Sequence, residues 1–227
     1  MSENSYETGR LNLPFVGICT FAKSPLCLDW DKIDADVAVM GAPFDCGTQW
    51  RAGARFGPRS IRDASTLFSF GHGGAYDFED DVVYLPSDEV RIVDIGDADM
   101  VHTNTEKSHA NIEYGVRKIL AAGALPVVMG GDHSINIPCI NAFEGQEPFH
   151  IVHIDAHLDF VDERHGVRYG HGNPLRRAAE KCDTWRVEIG SFILSGDENQ
   201  RPTDAPRSPR VFEQLRLEDV DFPPCTF

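Results

Sequence analysis

Histidine and aspartate alternate with apolar residues in the stretch HIDAHLDF, residues 153–160. His153, Asp155, His157 and Asp159 occupy every second position, a spacing typical of a strand with one polar face. Imidazole and carboxylate together are also the ligands that Mn²⁺, Zn²⁺ or Fe²⁺ accept. The pattern alone leaves both interpretations open.

Geometry divides this stretch into two parts. In a straight strand, Asp155 and Asp159 would lie about 13 Å apart, too far for both to bind one ion. We therefore predict that Asp155, His157 and Asp159 are metal ligands where the strand ends and the chain bends. His153, inside the strand, is interpreted as structural. His133, in GGDHS (130–134), could complete the site from a neighbouring strand end, while Asp132 is expected to be a buried hydrogen-bonded or capping group.

Short continuous runs of Val, Ile and Met predict strands that are buried on both faces. They alternate with helical patterns along the chain, which predicts an α/β fold with a mainly parallel sheet. In such sheets, ligands bind beyond the carboxyl ends of the strands. The predicted strands lie within 36–44, 90–99, 124–134 and 149–159. The predicted helices lie within 57–65, 103–124 and 134–143, the last one starting with Ser134 as a possible cap.

Composition excludes several classes of protein. The formal charge of −15 argues against nucleic acid as a partner. It is compatible with a cationic small substrate, but surplus carboxylates that only keep the protein soluble account for it at least as well. No apolar run is long enough to span a membrane, and the N-terminus does not read as a signal peptide. The six cysteines form no CxxC pair, so we expect free thiols and a cytoplasmic protein.

The two polar motifs are recognisable together. GGDHS (130–134) followed by DAHLD (155–159) resembles the ureohydrolase family of arginases and agmatinases. GAPFDCGTQWRAGARFGPRSIR (41–62), VDIGD (93–97) and YGHGNPLRRA (169–178) extend the resemblance over about residues 35–180, with a leaning to the agmatinase branch.

The resemblance implies a three-layer α/β/α arginase-like fold and a binuclear Mn²⁺ site. His133, Asp155 and Asp159 would bind one ion and His157 the other, with Asp155 bridging the two. A hydroxide between the ions would attack the carbon of a guanidinium group and release an amine and urea. His171 would carry protons to the leaving amine, although from the sequence alone it could equally be a solvent-exposed loop residue. Oligomers are usual in the family, so a homo-oligomer is implied as well.

The C-terminal part departs from the family pattern. We predict an α/β domain over residues 1–194, with a strand near 185–191, and an irregular proline-rich tail over 195–227. The family's second aspartate pair has no convincing counterpart, although Asp219 and Asp221 have the D-x-D spacing. The arginase-like fold is therefore expected to be C-terminally incomplete, and a truncation or frame change is one hypothesis for the tail.

Three functions remain open at this point. The first is a manganese-dependent amidinohydrolase that acts on agmatine or on a guanidino acid such as guanidinobutyrate. The second is a catalytically impaired ureohydrolase fragment that keeps half of the metal site. The third is a non-enzymatic α/β ligand-binding module whose His and Asp residues are structural.

Overall fold

Parallel strands and helices alternate along the chain, as the sequence predicts, except where a short antiparallel hairpin, residues 75–84, interrupts the order. The computed structural model describes residues 13–68, 74–146, 149–181 and 188–193. The chain divides into two compact units, residues 1–142 and 143–227. The strands are β1 (Val37–Ala42), β2 (Ala75–Asp77), β3 (Val82–Tyr84), β4 (Ile92–Asp97), β5 (Leu125–Gly130), β6 (His150–Asp155) and β7 (Glu188–Ile193). The α-helices are α1 (Gly57–Ser65), α2 (Thr105–Ala121), α3 (Asn136–Asn141) and α4 (Pro174–Ala179).

The first unit is built on a parallel sheet with the strand order β4-β1-β5. Ala42, at the end of β1, pairs with Gly130 at the end of β5, and Gly41 pairs with Asp97 at the end of β4. The segments that leave the three strands therefore start from one edge of the sheet, which is where parallel α/β sheets place their ligands.

Burial differs between the strands. The central strand β1 is almost wholly buried, as its continuous apolar sequence predicts. The same prediction is wrong for β5, where Leu125 and Val127 are 51 % and 38 % exposed. The reason is position: β5 lies at one side of this three-stranded sheet, and the described residues do not cover those two side chains.

Helix α2 supplies much of the core of the first unit. Ile112, Val116 and Ile119 recur at helical spacing and are at most 1 % exposed. The helix begins after Asn104, whose side chain accepts a hydrogen bond from the amide of Lys107 at 2.9 Å. It ends just before Gly123, which has a positive φ of 75°, as is common after helix ends.

The other helices of this unit test the sequence-based boundaries. Helix α1 covers the predicted 57–65, with Pro58 in its first turn. The expected start of the next helix at Ser134 is wrong. A 3₁₀ helix covers His133–Ile135, Asp132 caps it, and α3 follows directly. An aspartate offers two acceptor oxygens, and here it takes the capping role that the pattern gave to serine.

The second unit contains a parallel pair of strands, β6 and β7, with His150 opposite Glu188 and Asp155 opposite Ile193. The strand predicted near 185–191 is thus observed at Glu188–Ile193. On β6, Val152 and Ile154 are 42 % and 73 % exposed, again against the expectation of burial on both faces. The predicted tail over 195–227, with Asp219 and Asp221, lies outside the described residues, so the boundary at residue 194 stays a prediction.

Candidate metal and catalytic site

His133 stands at the beginning of a turn that follows β5 in the first unit. The preceding residue, Asp132, is 7 % exposed and holds this turn through both carboxylate oxygens. Its Oδ1 accepts a hydrogen bond from the amide of Ser134 at 2.8 Å, and its Oδ2 accepts one from the amide of Gly47 at 2.8 Å. The expectation that Asp132 is a buried capping group is confirmed. His133 itself is half-buried.

The segment after β1 wraps closely around this turn. The amide of Asp132 donates to the carbonyl oxygen of Phe44 at 2.7 Å. Gly131 has a φ of 62°, and a Cβ atom there would lie 2.6 Å from that same carbonyl oxygen. Only glycine satisfies both the backbone conformation and this close approach. The stretch PFDCGT (43–48) therefore packs against the GGDHS turn.

The predicted ligands of the second unit lie at the end of β6: Asp155 is its last residue, and His157 and Asp159 follow it. His153 lies in the strand and is buried, as expected for a structural residue. Its Nε2 is 3.5 Å from Oδ2 of Asp155, and Nδ1 of His157 is 3.6 Å from Oδ1 of the same carboxylate. The amide of His157 also donates to that Oδ1 at 2.9 Å. The carboxylate of Asp155 thus lies between two imidazoles.

This donor set is chemically suited to a metal ion. A half-buried carboxylate flanked by imidazole nitrogens offers mixed oxygen and nitrogen ligands, which suit Mn²⁺, Zn²⁺ or Fe²⁺. His157 is 69 % exposed at its side chain, so its ring is accessible from solvent. His153 was interpreted only as a strand residue, yet its ring contacts Asp155. The signal in the sequence was their spacing, because residues 153 and 155 lie two positions apart and so share one face of the strand.

The chain bends sharply after β6, as the distance argument requires. Asp159 has a φ of 45°, and its carbonyl oxygen accepts a hydrogen bond from the amide of Leu175 at 3.2 Å. The amide of Val161 donates to the carbonyl oxygen of Gly172 at 3.0 Å. These bonds hold the backbone that carries Asp159 beside the backbone that carries His171.

The side chain of Asn173 connects the chain after β6 to the segment that carries His171. It is 2 % exposed, and its Nδ2 donates to the carbonyl oxygen of Val161 at 2.6 Å. Its Oδ1 accepts from the amide of Gly170 at 2.8 Å. A single buried side chain therefore fixes the loop on both sides of His171, which is itself half-buried.

Ion pairs support the same loop. Arg177 on α4 and Arg168 both contact Oδ1 of Asp162. The hydrogen bond from Arg177, and to a lesser extent that from Arg168, holds the pKa of Asp162 below its usual value. Arg177 also lies 2.9 Å from Glu180. These ion pairs hold α4 against the loop. Because the two arginines are paired with two carboxylates, we assign the network a structural role.

A cavity of about 270 Å³ lies in the first unit, beyond the ends of β1 and β4. Its polar lining includes Asp45, Arg55, Asp97 and His102. Asp45 is buried, and the hydrogen bond from Arg55 holds its pKa below the usual range. Most of this lining lies in the stretches 41–62 and 93–97, but the sequence did not predict a cavity, because no local pattern shows that these separate segments come together.

Comparison with known proteins identifies the fold and the motifs together. The model of the arginase family matches residues 35–192, more than half of the chain. The chain belongs to the arginase family. A guanidinopropionase of Pseudomonas aeruginosa is 39 % identical over 191 residues, which are 82 % of this chain and 57 % of that relative. The chain spans about half the length of the curated relatives it matches.

Solved structures of arginase-family proteins agree with this assignment. Proclavaminate amidino hydrolase from Streptomyces clavuligerus has a TM-score of 0.67 and 28 % identity, over 84 % of this chain and 60 % of that one. A formiminoglutamase of Trypanosoma cruzi with Mn²⁺ has a TM-score of 0.57 and 26 % identity, over 71 % and 53 % of the two chains. The predicted arginase-like α/β/α fold with a mainly parallel sheet is confirmed.

Two further expectations concern the described residues. Cys19, Cys27, Cys46 and Cys139 are free thiols, as predicted, while Cys182 and Cys225 lie outside the described part. Among the described residues, none of the helices has the length and apolar character needed to cross a membrane.

Proposed function

We propose that this protein is a manganese-dependent amidinohydrolase that cleaves a small guanidino compound to an amine and urea. The observation that carries the proposal is the carboxylate of Asp155 between the imidazoles of His153 and His157, at the strand end where the arginase-family motif DAHLD lies. Relatives named for guanidino substrates, guanidinopropionase and agmatinase among them, support the reaction class.

We assign the metal to four residues of the two motifs, namely His133, Asp155, His157 and Asp159. Their imidazole and carboxylate groups fit Mn²⁺, and a family member has been solved with that ion. When bound, Mn²⁺ would lower the pKa of a water molecule and so supply a nucleophile near neutral pH. His153 would orient Asp155 through its Nε2, 3.5 Å from Oδ2.

His171 is assigned to proton transfer. An imidazole exchanges protons near neutral pH, which suits the protonation of a departing amine. The hydrogen bonds between its loop and the chain after β6 keep it on the Asp159 side of the second unit. A proton held at an imidazole nitrogen of His171 would pass to the amine nitrogen as the C–N bond breaks.

Urea release in the presence of Mn²⁺ tests the proposal, with agmatine and guanidinobutyrate as the first substrates. We expect urea from at least one of them with the wild type, and a loss of at least about 100-fold with Asp155→Asn and with His157→Ala. His165→Asn is the matched control. His165 is exposed in the same loop region and has a φ of 53°, which asparagine tolerates.

Two outcomes would replace the proposal. Mn²⁺ binding without urea from any guanidino compound would favour an impaired fragment that keeps part of the metal site. Absence of Mn²⁺ binding, with no activity affected by His157→Ala, would favour a ligand-binding module.

Two sequence-based expectations remain proposals beside this one. We propose that the protein forms a homo-oligomer, which light scattering after size-exclusion chromatography checks directly. A monomer at micromolar concentration would contradict it. The cytoplasmic location expected from the sequence is checked by cell fractionation.

A further inference from the structure

We infer that Asp132 is a positioning residue for His133, and that the segment around Gly47 holds the carboxylate of Asp132 in place. The inference rests on the proposed function, because it takes His133 as a metal ligand. It gives a role to the PFDCGT stretch, which the proposed chemistry does not otherwise use.

The carboxylate of Asp132 has defined partners on two sides. One oxygen accepts from the amide of Ser134 at 2.8 Å, and the other accepts from the amide of Gly47 at 2.8 Å. The hydroxyl of Thr48 lies 3.5 Å from the second oxygen. Asp132 thus ties the turn that carries His133 to a segment 85 residues earlier in the chain.

The backbone of Asp132 is held as firmly as its side chain. Its amide donates to the carbonyl oxygen of Phe44 at 2.7 Å, so two separate bonds connect residues 132 and 44–47. His133 is the next residue and the first of the 3₁₀ helix that Asp132 caps. The direction in which the His133 ring leaves the backbone therefore depends on these bonds.

The packing at Gly47 shows how little space the arrangement leaves. A Cβ atom on residue 47 would lie 2.7 Å from Oγ of Ser134 and 2.9 Å from Oδ1 of Asp132. Both distances are far inside van der Waals contact, and Oδ2 of Asp132 would lie at only 3.0 Å, so a move of Ser134 alone would leave the clash with the carboxylate. Gly47→Ala thus perturbs Asp132 without altering any proposed ligand.

The experiment measures Mn²⁺ affinity of the full chain by titration calorimetry and electron paramagnetic resonance. Asp132→Asn keeps the shape of the side chain but has only one acceptor oxygen, so its NH₂ group must face the amide of Gly47 or of Ser134. We expect a 10- to 100-fold weaker affinity for Mn²⁺, the range typical when a partner that orients a ligand is removed. Gly47→Ala should weaken it in the same direction.

Asp97→Asn is the control for charge. It also removes one carboxylate charge at the strand ends of the first unit, but Asp97 contacts Arg62 at 2.5 Å and not the GGDHS turn. We expect its Mn²⁺ affinity to stay within about twofold of wild type, because partly exposed charges interact weakly with other sites. Urea unfolding of each metal-free variant measures stability separately from affinity.

The outcomes separate this inference from the proposed function. Wild-type affinity in folded Asp132→Asn and Gly47→Ala would overturn the inference and leave the metal proposal intact. An equal loss in Asp97→Asn would overturn it too, since charge alone would then account for the effect. No Mn²⁺ binding by the wild type would overturn both. If Asp132→Asn does not fold, Gly47→Ala alone decides.

Discussion

Arg62 on α1 and Asp94 on β4 form a buried, two-bonded ion pair. Nε of Arg62 lies 2.7 Å from one carboxylate oxygen of Asp94, and Nη2 lies 3.0 Å from the other. The residues are 8 % and 1 % exposed, and Nη2 also donates to the carbonyl oxygen of Gly96 at 2.9 Å. The guanidinium therefore fixes α1 to β4. The ends of β4 and β5 lie at the same edge of the sheet, and the candidate ligand His133 follows β5 there.

Removal of this guanidinium should be among the most destabilising substitutions in the first unit. Arg62→Ala leaves the Asp94 carboxylate buried without its cation, which costs about 3–5 kcal/mol. Arg62→Lys should recover only part of this stability, because a lysine ammonium lacks the planar pair of N–H donors that bonds both oxygens of Asp94. Urea unfolding gives the values, with exposed Arg59→Lys as the control. A lysine variant as stable as wild type would contradict the importance of the paired geometry.

The sequence predicted strands β1, β4, β5, β6 and β7 and helices α1, α2 and α3 in their order along the chain. Short apolar runs closed by glycine indicated β1 and β5, and proline near the start of 57–65 indicated α1. These are local signals, and the structure agrees within a few residues. The bend after Asp155 was expected from the hypothesis that Asp155 and Asp159 bind one ion, because a straight strand would hold them too far apart.

Tertiary partners were not predictable in the same way. The bonds from Gly47 to Asp132 and from Arg62 to Asp94 join residues 85 and 32 positions apart. No periodicity in the sequence marks such pairs. The hairpin of β2 and β3 was missed because each of its strands has only three residues. The exposure of Leu125 was missed because an apolar run does not tell which neighbours will cover it.

The buried histidine of α2 should make stability depend on pH. His109 is 8 % exposed with its ring against Phe44 at 5.1 Å between centroids, and burial lowers its pKa from 6.5 to about 4. The nearby charge of Asp132 raises the pKa and offsets only part of this effect. A lowered pKa in the folded state means that stability is fully present above pH 6.5 and is lost as the pH falls towards 4.

His109→Gln removes this titration. The loss of unfolding free energy between pH 7 and pH 4 should be smaller in the variant than in wild type by about 3 kcal/mol. Denaturant titrations at several pH values measure it, and His102→Gln, at an exposed position, is the control. Parallel pH profiles of the wild type and His109→Gln would show that His109 does not titrate on unfolding in this range.

Asn173 should matter more to turnover than to metal binding. It joins residues 161 and 170 through its amide group, so Asn173→Ala frees the loop that positions His171. We expect kcat to fall about 10-fold or more, because small displacements of catalytic groups are costly. Mn²⁺ affinity should change less, because the bond from the amide of Leu175 to the carbonyl oxygen of Asp159 remains. Asn111→Ala is the control, since its amide donates to the carbonyl oxygen of Asp99 on an exposed surface of the first unit. Equal losses in the two variants would assign Asn173 to general stability.

Substitution of His171 should separate proton transfer from metal binding. His171→Asn keeps a polar group near the position of Nδ1 but cannot carry a proton near neutral pH, so kcat in the urea assay should fall by about 100- to 10,000-fold. Mn²⁺ affinity should remain that of wild type, because the proposed ligands are four other residues. Added imidazole should restore part of the activity, since it supplies the missing proton donor from solution. A variant that loses Mn²⁺ together with activity, and that imidazole does not restore, would instead make His171 a part of the metal site.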